Sequence, residues 1–125
     1  MGKTLDSGAL IAAERNDRRY WKASKKSDEV FTVPAIVVTE IWRGGRNANL
    51  ARALHGCDLE DVDIELAKSA GVLCGLAGTD DPVDALVVAS AARRGDDIVT
   101  TDPEDLRALA AVAPGVGRIL DLNAL

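Results

Sequence analysis

Apolar and polar residues alternate along the chain in short blocks, and these blocks predict strands separated by helices. Runs rich in apolar and β-branched residues predict five strands, at residues 3–5, 30–33, 59–62, 98–101 and 118–122. Apolar residues at helical spacing predict the intervening helices, which begin near residue 8 and then cover residues 18–27, 34–42, 49–54, 64–76 and 81–94, with a last one after residue 102. This alternation predicts an α/β fold with a parallel sheet and helices on both of its faces.

Length and composition indicate one soluble globular domain over residues 1–125. The chain is 47% apolar and 28% charged, and it is long enough to bury a core without disulfides or a structural metal. Only 3% of the residues are aromatic, which argues against a protein that stacks nucleic-acid bases along an aromatic surface. Cys57 and Cys74 form no CxxC pair, so neither a disulfide framework nor a zinc site is expected. With no signal peptide and no apolar run of membrane-spanning length, we expect a cytoplasmic protein with no membrane partner.

Charge is distributed unevenly along the chain. The formal net charge is −5, but residues 1–52 hold ten of the fifteen Lys and Arg residues and six of the twenty acids, so this part is basic. Six of these cations recur at intervals of three and four and are predicted to share one helical stripe: Arg15, Arg18, Arg19, Lys22, Lys25 and Lys26. A solvated helix face and a surface that contacts RNA phosphates or a protein partner are both consistent with this stripe.

Acidic residues fall where the predicted strands end. Asp6 and Asp102 follow the first and fourth strands directly, Glu40 lies on the helix after the second strand, and Asp84 lies in the first turn of the helix that begins at residue 81. Ligands of parallel α/β sheets bind beyond the carboxyl ends of the strands. The four carboxylates are therefore predicted to converge at one edge of the sheet.

Such a convergence has an energetic cost that a cation would offset. Two like charges about 4 Å apart repel by about 4 kcal/mol at an effective dielectric constant near 20. No Lys or Arg is adjacent in sequence to Asp6, Asp84 or Asp102, and Arg43 alone, one turn beyond Glu40, does not balance four carboxylates. Oxygen ligands without His or Cys favour Mg²⁺ or Mn²⁺, ions that activate water for displacement at phosphorus.

Each acid also has a purely structural interpretation. Asp81-Pro82 is typical of a helix start, with Asp as the N-cap and Pro at the first position, and Asp102-Pro103 repeats this layout. Asp6 with Ser7 is compatible with capping of the first helix. Glu40 is compatible with a surface ion pair to Arg43. Only the joint occurrence of these acids at several strand ends favours a metal site.

Four stretches in order resemble the motifs of PIN-domain proteins, and among these most of all the VapC toxins of bacterial toxin–antitoxin pairs. The stretches are LDSGALI at residues 5–11, VTEIWR at 38–43, DPVDA at 81–85 and TTDPEDL at 100–106. Together they extend over nearly the whole chain. The chain departs from the pattern at Ser7 and Gly8, where the family often has two hydroxyl residues, but this departure removes no carboxylate.

The resemblance implies a three-layer α/β/α fold and a Mg²⁺- or Mn²⁺-dependent endoribonuclease. It implies that the catalytic and metal-binding residues are Asp6, Glu40, Asp84 and Asp102. It further implies accessory roles for Thr101, which would orient Asp102 or contact a phosphate, and for Asp105, Ser7 and Arg43. The implied partners are RNA, a VapB-like antitoxin that covers the active site, and a second copy in a homodimer.

Two other functions occur among acid-lined α/β domains of this length. A receiver-type signalling domain needs an adjacent acid pair after the first strand, a phospho-acceptor Asp in mid-chain and a late lysine. Only Asp6 follows the first strand and Lys68 is the last lysine, so the sequence argues against this function. A PIN-like interaction module without catalysis remains open. The two PIN-like alternatives differ in whether RNA turnover depends on a divalent cation.

Overall fold

The computed structural model describes residues 2–45 and 47–124 and has the predicted α/β architecture. The strands are β1 Lys3–Leu5, β2 Thr32–Pro34, β3 Asp58–Glu60, β4 Asp97–Thr100 and β5 Ile119–Asp121. The helices are α1 Ser7–Glu14, α2 Arg18–Lys26, α3 Ala35–Ile41, α4 Ala48–His55, α5 Ile64–Ala77, α6 Pro82–Arg94 and α7 Glu104–Ala111, followed by a 3₁₀ helix at Leu122–Ala124. That one domain covers residues 1–125 stays a prediction.

Several predicted boundaries are shifted by one or two residues. The second strand does not include Val30, which is exposed, and it ends at Pro34, which forms the N-cap of α3 and not its first turn. The fourth strand begins at Asp97 and ends at Thr100, so Thr101 lies outside it. Helix α6 matches the prediction: Pro82 is its first residue, and Gly95 ends it in the left-handed conformation that glycine adopts without strain.

All strand pairs in the described sheet are parallel, and the strand order is β3-β2-β1-β4-β5. The chain therefore moves outward from β1 to β3 on one side and returns to β4 and β5 on the other. The reversal places a topological switch point between β1 and β4, where open α/β sheets bind their ligands. Leu5 is paired with Val99 across this junction, so the residues that follow them emerge side by side.

Helices cover both faces of the sheet and enclose one apolar core. On one face α1 packs against α2, α3 and α4, and on the other α6 packs against α5 and α7. Side chains of the three inner strands, β2, β1 and β4, fill the space between the layers, as Leu5, Val33, Ile98 and Val99 show by being almost wholly buried. Within the described residues, no helix is both long enough and apolar enough to cross a bilayer.

A charged network fixes α6 against the sheet. Arg94, in the last turn of α6, donates from Nε to Asp96 at 2.9 Å, from Nη2 to the Thr4 hydroxyl at 2.6 Å, and from Nη1 to Glu60. Ser90, one turn earlier on the same helix, also donates to Glu60, at 2.5 Å. Because its last turns are held in this way, α6 presents its first turn to the carboxyl edge of β1 in a defined position.

Candidate metal and active site

Asp6 lies directly after β1 at the switch point and is nearly buried. Its Oδ1 accepts a hydrogen bond of 3.0 Å from the backbone N–H of Ala9, so Asp6 is the N-cap of α1. Its exposed fraction is 7%, and this burial raises the pKa of its carboxyl despite the hydrogen bonds that lower it. Helix capping and a ligand role are therefore compatible for Asp6, because only one of its two carboxylate oxygens accepts the capping hydrogen bond.

Thr100 is a site residue that the sequence analysis missed. Its hydroxyl donates to Asp6 Oδ2 at 2.5 Å and accepts a 3.0 Å hydrogen bond from the backbone N–H of Asp102. The side chain is fully buried at the end of β4, so the hydroxyl joins the two strand ends that carry the acids. It fixes the Asp6 carboxyl and lowers its pKa.

Asp84 lies in the first turn of α6, close enough to Asp6 for the charge of one to affect the other. The pKa of the Asp84 carboxyl is raised to about 7. Burial is the largest cause, followed by the charge of Asp81 and a hydrogen bond with it, and then by the charges of Asp6 and Asp105. Asp81 is the predicted N-cap, since its Oδ1 accepts from the Asp84 N–H at 3.1 Å. Capping is not its only effect, because the same carboxylate destabilises the charged form of Asp84.

Asp102 does not cap α7, so the structural alternative for this residue is wrong. The N-cap of α7 is Pro103, which makes no side-chain capping hydrogen bond. The Asp102 carboxyl instead shares a hydrogen bond with Asp105, and that bond and the Asp102 charge raise the pKa of Asp105. The Asp102 charge also raises the pKa of Asp6. Asp102 thus belongs electrostatically to the group of acids.

The ion pair with Arg43, the structural alternative for Glu40, is absent from the ion pairs of the described residues. The Arg43 guanidinium donates to backbone carbonyls at the end of α3, namely those of Thr39, Glu40 and Trp42, at 2.9–3.0 Å. The Glu40 carboxylate is exposed. Helix α3 contacts both α1 and α6, and Glu40 lies in its last turn. Its role as a fourth ligand stays a prediction.

Thr101 and Ser7 lie beside the N-terminus of α1. A Cβ on Gly8 would overlap the Thr101 Oγ1, so the absence of a side chain at Gly8 makes room for that hydroxyl. Ser7 is the first residue of α1 and is partly exposed. Neither hydroxyl forms the link between Asp6 and Asp102, which belongs to Thr100. The accessory roles predicted for Thr101 and Ser7 stay predictions.

The predicted basic stripe is divided between two helices. Arg15 is the C-cap of α1, and the next residue, Asn16, has a φ of 58° that ends this helix. Asp17 then caps α2, where the remaining members of the stripe lie. The prediction that all six cations share one helix is therefore wrong for Arg15.

The acids at this edge carry more negative charge than the surrounding residues neutralise. Among the described residues, none of the ion pairs includes Asp6, Asp84 or Asp102. The N-termini of α1, α6 and α7 meet at this edge, and their dipoles offset part of the repulsion. Oxygen donors with uncompensated charge fit a hard divalent cation. In the described part of the chain, no three Asp, Glu, His or Cys side chains already form a group that would enclose an ion.

The raised pKa of Asp84 predicts how the metal-free protein responds to pH. Asp84 has a pKa of about 7 when folded and an ordinary value of 3.8, so the folded state binds more protons between these values. The unfolding free energy in EDTA should therefore fall as pH rises through 7, and Asp84→Asn should flatten this fall and stabilise the protein at pH 8 by about 1 kcal/mol, allowing for solvent screening. Urea unfolding at pH 5 and 8 measures both effects. The exposed Asp61→Asn serves as the control, and an Asp84→Asn protein with the parental pH dependence would contradict the prediction.

Comparison with known proteins agrees with this arrangement. The PIN domain family matches residues 3–112. A toxin–antitoxin complex from Klebsiella pneumoniae has 18% identity and a TM-score of 0.74, over 93% of this chain and 96% of that one. DNA-bound VapBC from Salmonella typhimurium has 18% identity and a TM-score of 0.72, over 98% of each chain. VapBC2 from Rickettsia felis bound to a promoter DNA fragment has 16% identity and a TM-score of 0.71, over 97% and 98%. No curated protein sequence matches the chain.

Proposed function

The chain belongs to the PIN-domain family, and from this membership we propose that it is a Mg²⁺- or Mn²⁺-dependent endoribonuclease that acts as the toxin of a toxin–antitoxin pair. The observation that supports the proposal is that the charge of Asp102 raises the pKa of Asp6 and the charge of Asp6 raises that of Asp84, while no cation is paired to any of these acids among the described residues. Structural frameworks seldom retain such repulsion without a ligand.

The proposed ligands are Asp6, Glu40, Asp84 and Asp102. When bound by these carboxylates, a divalent ion would supply positive charge at the scissile phosphate and would make a water molecule a better nucleophile. The remaining work belongs to the protein's own side chains. Asp84 gives up its proton when the site is loaded, because a carboxyl must be ionised to act as a ligand.

Residues around the ligands hold them in place. Thr100 holds the Asp6 carboxyl through its hydroxyl and connects it to the backbone before α7. Asp105 shares a hydrogen bond with Asp102 and is proposed as an accessory acid. Arg43 donates hydrogen bonds to the last carbonyls of α3, so we propose that it stabilises the C-terminal end of the helix that carries Glu40.

Two protein partners are part of this proposal. The similar structures include toxin–antitoxin and VapBC complexes, and we infer by likeness that a VapB-like antitoxin binds this chain. We also propose a homodimer. An open apolar groove of about 590 Å³ between α5, α6 and residues 112–114 supports it, since Val72 and Leu76 line this groove and are more than half exposed.

The proposed activity is tested by RNA cleavage in defined metals. The purified chain should cut single-stranded RNA in Mg²⁺ or Mn²⁺ and should leave it intact in EDTA, as read on a denaturing gel. The matched control is the same preparation of the Asp6→Asn protein, which detects contaminating nucleases. If neither ion gives turnover by the purified chain, the catalytically silent interaction module is the correct interpretation.

A further inference from the structure

Helix α2 has one strongly basic face that the carboxylate site does not use. At 3.6 residues per turn its cationic residues occupy an arc of about 120°; they are Arg18, Arg19, Lys22, Lys25 and Lys26. All five are exposed, whereas Tyr20 on the opposite side is buried in the core. The helix thus has an apolar attachment and a cationic outer surface.

Most of this positive charge has no protein counter-charge. Arg19 pairs with Asp17 at 2.8 Å. Among the described residues, the other four cations of α2 form no ion pair. Lys25 and Lys26 complement the dipole at the end of α2. Unpaired cations within one arc nevertheless repel each other, and the chain as a whole is acidic. An anionic ligand is the partner that this face fits.

The basic face begins beside the carboxylate site. The Asp17 carboxylate, and more weakly that of Asp121, raises the pKa of Arg19, which locates the first turn of α2 near the end of β5. Helix α2 packs against the 3₁₀ helix that follows β5, and in that helix Asn123 donates to the Thr101 carbonyl at 3.2 Å. One short segment therefore separates the first turn of α2 from the residue that precedes Asp102.

The other end of α2 lies toward the opposite edge of the sheet. Lys26 lines a small cavity together with Lys3, at the start of β1, and with Val99 and Leu120 of the neighbouring strands. The cations from Arg18 to Lys26 thus follow a line about 12 Å long at 1.5 Å per residue. This line leads from the carboxyl edge across the side of the domain.

We propose that Arg18, Lys22, Lys25 and Lys26 form a phosphate track that binds the RNA strand where it leaves the carboxylate site. The inference rests on the proposed nuclease function. A polyanion that approaches a cluster of carboxylates is repelled, and the screening length in physiological salt is only about 8 Å. Cations are therefore needed to hold the backbone beside the site. The first turn of α2 supplies Arg18 at that edge, and Lys22, Lys25 and Lys26 continue the positive charge away from it.

The track is tested by the salt dependence of RNA binding. Binding of a short fluorescein-labelled single-stranded RNA is measured by anisotropy at several salt concentrations in EDTA, where the proposed activity is silent. Each lost phosphate contact should reduce the slope of log K against log salt by about 0.7, so Lys22→Gln with Lys25→Gln should reduce it by about 1.4. The single variant Lys22→Gln has Lys68→Gln as its matched control, because Lys68 is an exposed lysine of α5 on the other face of the sheet. The control substitution should leave the slope unchanged.

The outcomes separate the track from the nuclease proposal. An unchanged slope in the double variant, or an equal reduction in Lys68→Gln, overturns the track and leaves the face to solvent or to an acidic protein partner. If RNA is cleaved in Mn²⁺ while the slope does not move, the track fails and the nuclease proposal stands. If the slope falls as expected but no ion supports cleavage, the surface binds RNA and the nuclease proposal fails.

Discussion

Replacing Asp6 with asparagine is expected to lower the kcat/KM of Mn²⁺-dependent RNA cleavage by more than about 100-fold, because changes in residues that only support metal ligands already cost 10- to 100-fold. The fold should be kept. Asparagine caps helices about as well as aspartate, so the bond from the Ala9 N–H to the side-chain oxygen at position 6 is retained. The neutral amide also relieves the repulsion with Asp84 and Asp102.

A second measurement separates loss of the ligand from loss of structure. Mn²⁺ should raise the midpoint temperature of thermal unfolding of the parental protein, because an ion that binds only the folded state stabilises it. The Asp6→Asn protein should show a much smaller rise. Asp61→Asn, which removes an exposed acid outside the site, should behave like the parent in both assays. Unchanged cleavage by the Asp6→Asn protein would remove Asp6 from the mechanism.

The fold was largely predictable because local signals agree with the global arrangement. Pro82 and Gly95 mark the two ends of α6, and both act as the sequence indicates. Strand ends were less predictable, because polar residues such as Asp97 and Asp58 begin strands here only through pairing with neighbours. The pairing register of a strand depends on its neighbours in the sheet, so the sequence of a short strand with polar ends contains little information about where that strand begins and ends.

The position of Asp6 and Asp102 at one edge of the sheet was predictable for a similar reason, whereas the contacts of long side chains were not. Asp6 and Asp102 follow strands that any parallel sheet directs to one edge. Arg43 was expected beside the Glu40 carboxylate at helical spacing, but the unsatisfied carbonyls at the end of α3 accept its N–H groups instead. Arg15 was assigned to the stripe by spacing alone, although Asn16 and Asp17 signal a helix end and a new cap.

The contact between Thr100 and Asp6 follows from the alternation of side chains along β4. Two threonines precede Asp102, and alternation along β4 decides which one faces Asp6. Thr4 is paired with Ile98 in the register, so Asp6 and Thr100, each two residues further along, lie on the same face. Thr101 points to the other face, toward the start of α1. The period of two along the strand therefore identifies Thr100 once the pairing is known.

Thr100→Val should lower kcat/KM for RNA cleavage by about 10- to 100-fold, the range for residues that orient metal ligands. Valine keeps the buried shape but leaves the Asp102 N–H unpaired and frees the Asp6 carboxyl. Because the lost hydrogen bond had lowered the pKa of Asp6, that pKa rises further, and the acidic limb of the pH–rate profile should move to higher pH. Thr100→Ser, which keeps the hydroxyl, should restore most of the rate and the parental profile. Thr101→Val should leave the profile in place, and a Thr100→Val enzyme with the parental profile would show that the hydroxyl only fills space.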